Sequence, residues 1–200
     1  MKRILITVLT AIIGTSLVFA QTAMRTNLRD ATYEGSQTGF GVLPATDPYL
    51  GSVTVEKSLP ANMVDWVLVE LRASADSTTV ASVPGCLLAD GSVTDTTGTN
   101  GLTFEGLESS TSYFIVVRHR NHLSIMSNEA VQIDGTNGED EFDFTAGNGY
   151  GGILAMKQIG SDYAMVAADG DGNDYVQTND KNGVWMWKPD FQVIKLRIII

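Results

Sequence analysis

Apolar and polar positions along this 200-residue chain fall into short β-type runs separated by Gly, Asn and Asp turns. The strongest run spans residues 62–72, where Met63, Val64, Trp66, Val67, Leu68, Val69 and Leu71 follow Pro60. Its β-branched and aromatic content predicts a strand, and its near-continuous apolarity predicts a central one. Shorter runs predict strands at 79–83, 86–88, 102–104, 112–120, 130–133, 141–144 and 153–159. Between them lie turn signals such as Asp90-Gly91, Asn100-Gly101 and Asp134-Gly135. Short strands spaced this way read as a mainly β chain, an all-β sandwich. Helical period is absent until Thr178, where a short helix is predicted over 178–187, closed by Pro189.

The first twenty residues follow a different pattern. Lys2 and Arg3 precede an apolar run from Ile4 to Phe19, and Val18-Phe19-Ala20 offers compact residues at a cleavage site. This reads as a secretory signal peptide, too short and too interrupted by Gly14 and Ser16 for a membrane anchor. Residues 21–59, rich in Thr, Gly and Pro, are assigned to a leader with edge strands. Residues 60–160 are assigned to the sandwich, 161–190 to a calcium-binding segment and 191–200 to an atypical tail. No later run is long enough to span a bilayer. The formal net charge is −10, which disfavours nucleic acid and anionic membrane as partners and suits cation binding outside the cell. Cys86 stands alone, so an exported chain has no internal disulfide, and the apolar setting of Cys86 reads as a small buried hydrophobe.

The segment from Asp169 to Asp180 carries the sharpest chemical pattern. Asp169, Asp171, Asn173, Gln177 and Asp180 place side-chain oxygens at positions 1, 3, 5, 9 and 12 of a twelve-residue loop, and Tyr175 supplies a carbonyl at position 7. Calcium takes six to eight oxygens, and this spacing lets alternate residues curl toward one centre. Position 6 is Asp174 where glycine is usual, and position 12 is Asp180 where glutamate is usual. Asp tolerates a positive φ better than most side chains, so the turn is strained but open to it. The shorter arm of Asp180 points to weak affinity, in the extracellular range of about 10⁻⁴ to 10⁻³ M. Val176 at position 8 is expected to pack the loop on a neighbour. The competing reading is an Asx-rich surface turn with no ion.

Residues 104–118 have the pattern of a turn feeding a long strand in immunoglobulin-like sandwiches, with Tyr113 placed for a tyrosine corner. The segment resembles fibronectin type III domains and the prealbumin-like repeats of bacterial surface proteins. Residues 65–72, then 117–123, then the Asp169 loop, resemble the C-terminal region of large secreted bacterial surface proteins of the adhesin type. In those a β-sandwich precedes a dockerin-like segment with calcium loops. The resemblance implies an immunoglobulin-like or prealbumin-like β-sandwich with a C-terminal calcium loop and helix. It also implies a secreted or cell-surface location and a polysaccharide or protein partner. A dockerin carries two loops in tandem and this chain has one before Phe191. That leaves open an accessory subunit of a polysaccharide-degrading assembly, or a fragment of a larger surface protein.

Other candidates weigh less. Arg118, Arg120 and His122 would share one face of a continuing strand, able to contact an acidic or sugar ligand, with His119 and Asn121 on the other face. On that geometry the two histidines cannot share a metal. Glu139, Glu141 and Asp143 alternate with Phe142 and Phe144, as an acidic face over an aromatic one would. Residues 147–152 are glycine-rich without the lysine of a phosphate-binding loop. Trp185 and Trp187 offer a hydrophobic cap to the loop, whereas Trp66 reads as core. No nucleophile elbow, zinc-protease helix or P-loop occurs, so the chain is expected to be non-catalytic.

Overall fold

A computed structural model describes residues 24, 60–108, 111–119, 122–133, 141–169, 173–180 and 196–199. Strand β1 (Met63–Arg72) lies between β2 (Thr79–Leu88) and β4 (Ser112–His119), antiparallel to both. Val67, Val69 and Leu71 are fully buried on one face, and Trp66 and Glu70 are also buried. This accounts for the near-continuous apolarity of the run: neither face meets water along most of its length.

The sheet continues outward from this pair. On one side β5 (His122–Met126) borders β4, and β6 (Val131–Gln132) pairs with the start of β4. On the other, β2 pairs with β3 (Ser92–Thr94), followed by β10 (Arg197–Ile199) and β7 (Glu141–Asp143). The eight strands thus run β5-β4-β1-β2-β3-β10-β7 with β6 beside β4. They curl around one core that includes Val69, Leu71, Ile115, Val117, Leu87, Val93, Phe144, Leu196 and Ile198. A separate hairpin, β8 (Lys157–Ile159) and β9 (Asp162–Ala164), contributes the flanking Met156 and Met165 to the same core.

Three expectations change. The predicted strands 79–83 and 86–88 are one ten-residue strand running through Pro84 and Gly85. β3 pairs only with Cys86 and Leu87, so Pro84 lies where β2 has an open edge and its missing N–H breaks no bond there. Gly85 marks a close approach, since a Cβ at this position would lie 2.5 Å from Cγ1 of Val93. The run 102–104 forms no strand, though Leu102 is buried in the core. The tail is the largest correction: Arg197–Ile199 sits inside the sheet, parallel to β3 and antiparallel to β7, with Leu196 and Ile198 buried. Lys195 and Arg197 interrupt its apolar pattern, yet Arg197 lies outside and pairs with Glu141 at 2.7 Å and Asp143 at 3.5 Å.

The remaining strand readings hold in substance. The 141–144 run gives β7 and then a 3₁₀ turn, Phe144–Ala146, with Glu141 exposed and Phe142 and Phe144 buried. The 153–159 run divides into a 3₁₀ turn, Gly152–Ala155, and β8. The hydroxyl of Tyr113 accepts from the Glu108 N–H at 3.3 Å, which is the backward bond expected of a tyrosine corner. Cys86 is fully buried; burial, then the negative charge of Asp95, pushes its thiol up to about 12. Among the described residues no helix is long and apolar enough to cross a membrane. The signal peptide, the 21–59 leader apart from Met24, Trp185 and Trp187 lie outside the described residues.

Candidate functional site

The chain leaves β9 and runs back beside β5, where the Leu123 N–H donates to the Val166 carbonyl at 2.9 Å and His122 bridges Ala167. This pairing delivers Asp169 to a site where it is 1% exposed. Ala168 (φ 107°) and Asp174 (φ 63°) are the non-glycine residues with positive φ among those described. The second of these is the hinge that the loop pattern requires at its sixth position.

Asp169 organises the turn from its centre. Its Oδ1 accepts the Asn173 N–H at 3.1 Å and its Oδ2 accepts the Asp174 N–H at 2.8 Å. Asn173 Oδ1 in turn accepts the Tyr175 N–H at 2.9 Å. At the far end, Asp180 is fully buried and its Oδ2 accepts the Gln177 N–H at 2.6 Å. Gln177 immediately precedes helix α1 (Thr178–Asp180), so Asp180 reaches back from its third position as the acidic half of a capping box does.

Of the candidate ligands, Asp169, Asn173, Tyr175, Gln177 and Asp180 therefore lie on one folded loop, while Asp171 lies outside the described residues. Among the described residues no group of three or more His, Cys, Asp or Glu side chains is arranged to hold a metal ion. The donor set itself is all oxygen, two buried carboxylates with amide and carbonyl groups, which matches a hard cation and not zinc or copper. Tyr175 and Val176 project from the loop, 70% and 48% exposed, so the expected packing of Val176 on a neighbour is not realised.

The hinge side chain turns away from the loop and onto the sheet. Asp174 Oδ2 accepts from Arg118 Nη1 at 2.6 Å, while its Oδ1 accepts the Ser124 N–H at 3.2 Å and the Ser124 hydroxyl. Arg118 also donates through Nε to Glu70 Oε1 at 3.0 Å and through Nη1 to Ser124 Oγ at 3.2 Å. Burial opposes the charge on Asp174, but the bonds from Ser124 and Arg118 outweigh it and hold the carboxyl below its usual range. Burial likewise opposes the charge on Arg118, and Asp174 with Glu70 more than offsets it, raising the guanidinium above its ordinary value.

Arg118 is thus committed to protein carboxylates, and His122, expected beside it as a ligand contact, is buried at 3% exposure. β4 ends at His119 and β5 begins at His122, so these two are cross-strand partners. Their rings meet edge to face, Nδ1 to Nδ1 at 2.9 Å, at 4% and 3% exposure. Asp65, 2% exposed, reaches His119 Nε2 through Oδ2 at 3.0 Å and accepts the Trp66 N–H at 2.7 Å. The expectation that the histidines face opposite ways fails because the strand reverses between them. Arg120 lies outside the described residues.

Sequence reasoning missed Ser124, Glu70 and Asp65 as members of these clusters. Asp174 stands out in the sequence as a charged residue at a glycine position, but nothing in the sequence points to its contact with the sheet. Comparison with family models, curated proteins and solved structures returns no match.

Proposed function

We propose that the chain is a secreted, non-catalytic calcium-binding module of a cell-surface or adhesion protein, built on an immunoglobulin-like or prealbumin-like β-sandwich. The observation that carries this reading is the burial of two carboxylates, Asp169 at 1% and Asp180 at 0% exposure, at the two ends of one tightly turned loop. Both carboxylates accept backbone N–H bonds from the loop itself, and that turns the loop around them; a divalent cation is the further ligand that this run of oxygen donors suits. Asp169, Asp171, Asn173, Gln177 and Asp180, with the Tyr175 carbonyl, would hold the ion. It would neutralise the carboxylates and stiffen the loop against β5. Affinity falls in the weak extracellular range, about 10⁻⁴ to 10⁻³ M. Calorimetric titration with calcium, run beside magnesium, tests the reading: heat and a raised melting temperature with millimolar calcium support it, and no response to calcium removes it.

A second reading is an accessory, dockerin-like subunit of a polysaccharide-degrading assembly. It draws support from Tyr175 and Val176, whose exposed apolar surface on the loop is available to a partner. Pull-down on insoluble polysaccharide, with and without chelator, separates the two. A plain adhesion module keeps any sugar binding without help from other proteins of the assembly, whereas the accessory subunit is retained only when they are added.

A further inference from the structure

Asp174 stands at a hinge with φ 63°, a conformation that glycine adopts at lower cost. A side chain there needs a reason beyond the turn, and the contacts supply one. Its two oxygens are satisfied by side chains and backbone from the sheet: Arg118 Nη1 at 2.6 Å, and the N–H and hydroxyl of Ser124. Glu70 on β1 braces Arg118 from the opposite side at 3.0 Å. Three neighbouring strands, β1, β4 and β5, therefore each contribute one side chain to the position of one loop residue.

The same residue is tied inward. Its backbone N–H donates to Asp169 Oδ2 at 2.8 Å, so fixing Asp174 also fixes the orientation of the buried carboxylate at the loop's first position. Its side chain, turned toward the sheet, serves to position the loop.

Resting on the calcium reading, we propose that Arg118 and Ser124 form a seat that locks the hinge of the loop onto the sheet, so that the sheet sets the closed shape of the cation site before any ion arrives. Arg118 and Ser124 are positioning residues in this scheme. A site ordered in advance loses less conformational freedom on binding and binds more tightly. The seat also explains why the loop uses Asp where glycine would turn more easily: strain at the hinge is offset by two-point attachment to a rigid element.

Charge and seat predict opposite outcomes for one substitution. Removing the positive charge of Arg118 from the vicinity of a cation site strengthens calcium binding if electrostatics alone matters. The seat requires the reverse. In the full chain, Arg118→Gln is expected to weaken the calcium Kd measured by calorimetry on the order of tenfold. Amide exchange at Asn173 and Asp174, measured in chelator, is expected to speed up by a similar factor. Unchanged or tighter calcium binding in Arg118→Gln, or unchanged exchange, overturns the seat. If the unsubstituted chain takes up no calcium while exchange still accelerates, the locking of the hinge stands and the calcium reading is what falls. Ser124→Ala, which removes only a hydroxyl, gives the same two readouts should Arg118→Gln fail to fold.

Discussion

Asp95 organises the turn after β3 with a single carboxylate. Its Oδ1 accepts the Thr97 hydroxyl at 2.6 Å and the Thr97 N–H at 3.0 Å, and its Oδ2 accepts Asn100 Nδ2 at 3.0 Å. Burial pushes its pKa up, but the bonds from Thr97 and Asn100 outweigh burial and leave it at about 2. The folded value lies below the unfolded one of about 3.9, so the ionised carboxylate favours the folded state above that pH. That contribution is full above about pH 5 and drains as pH falls through about 2. Asp95→Asn is therefore expected to unfold at lower urea than the unsubstituted chain at pH 7, with the gap closing between pH 5 and pH 2. A gap that stays constant across that interval contradicts the assignment. The site is largely solvated, so the effect is read from its pH dependence and not from its size.

At the scale of elements, the C-terminal strand is the most consequential. β10 joins β3 to β7, and without it the described sheet has no link between those two strands. Ile198 is fully buried in the shared core. Ile198→Ala is expected to cost about 2–5 kcal/mol by chemical denaturation, against less than about 0.5 kcal/mol for Val80→Ala at a 51% exposed position. Near-equal values for the two would mean that 196–199 lies loosely on the sheet. The same strand shows where sequence reasoning stops. β1 and β4 were legible because apolar residues, many of them β-branched or aromatic, dominate ten and eight positions, and β7 because acids alternate with aromatics. β3, β9 and β10, three residues each, are too short for periodicity to register, and their place depends on partners far along the chain. The end of β4 failed for another reason: charged residues at 118–122 alternate as a strand would, while the reversal between His119 and His122 leaves no glycine or proline to announce it. At the loop, the ligand spacing and the positive φ at Asp174 were readable from residue types alone. Its attachment to Arg118 and Ser124, 56 and 50 residues earlier, was not.

For the whole molecule, the core draws on strands from β1 to β10, and the loop adds no side chain to it among the described residues. The loop is fastened to that sheet at both ends of its first half, through the Ala167 bridge and through Asp174. Energy gained by the loop should then appear in global stability. If calcium binds only the folded chain with a Kd of about 1 mM, then at about 10 mM it adds about 1.4 kcal/mol. For a domain of this size that is a rise in melting temperature of about 3–6 °C. The rise should follow total calcium as a linkage curve, be absent with magnesium at equal concentration, and occur in a single transition seen alike by far-ultraviolet and tryptophan signals. Two transitions, with calcium moving only one, would show a loop that orders independently of the core. In that case the hydrogen bonds at Asp174 carry too little energy to couple the cation to the sheet, and the structural role assigned to calcium is confined to the loop itself.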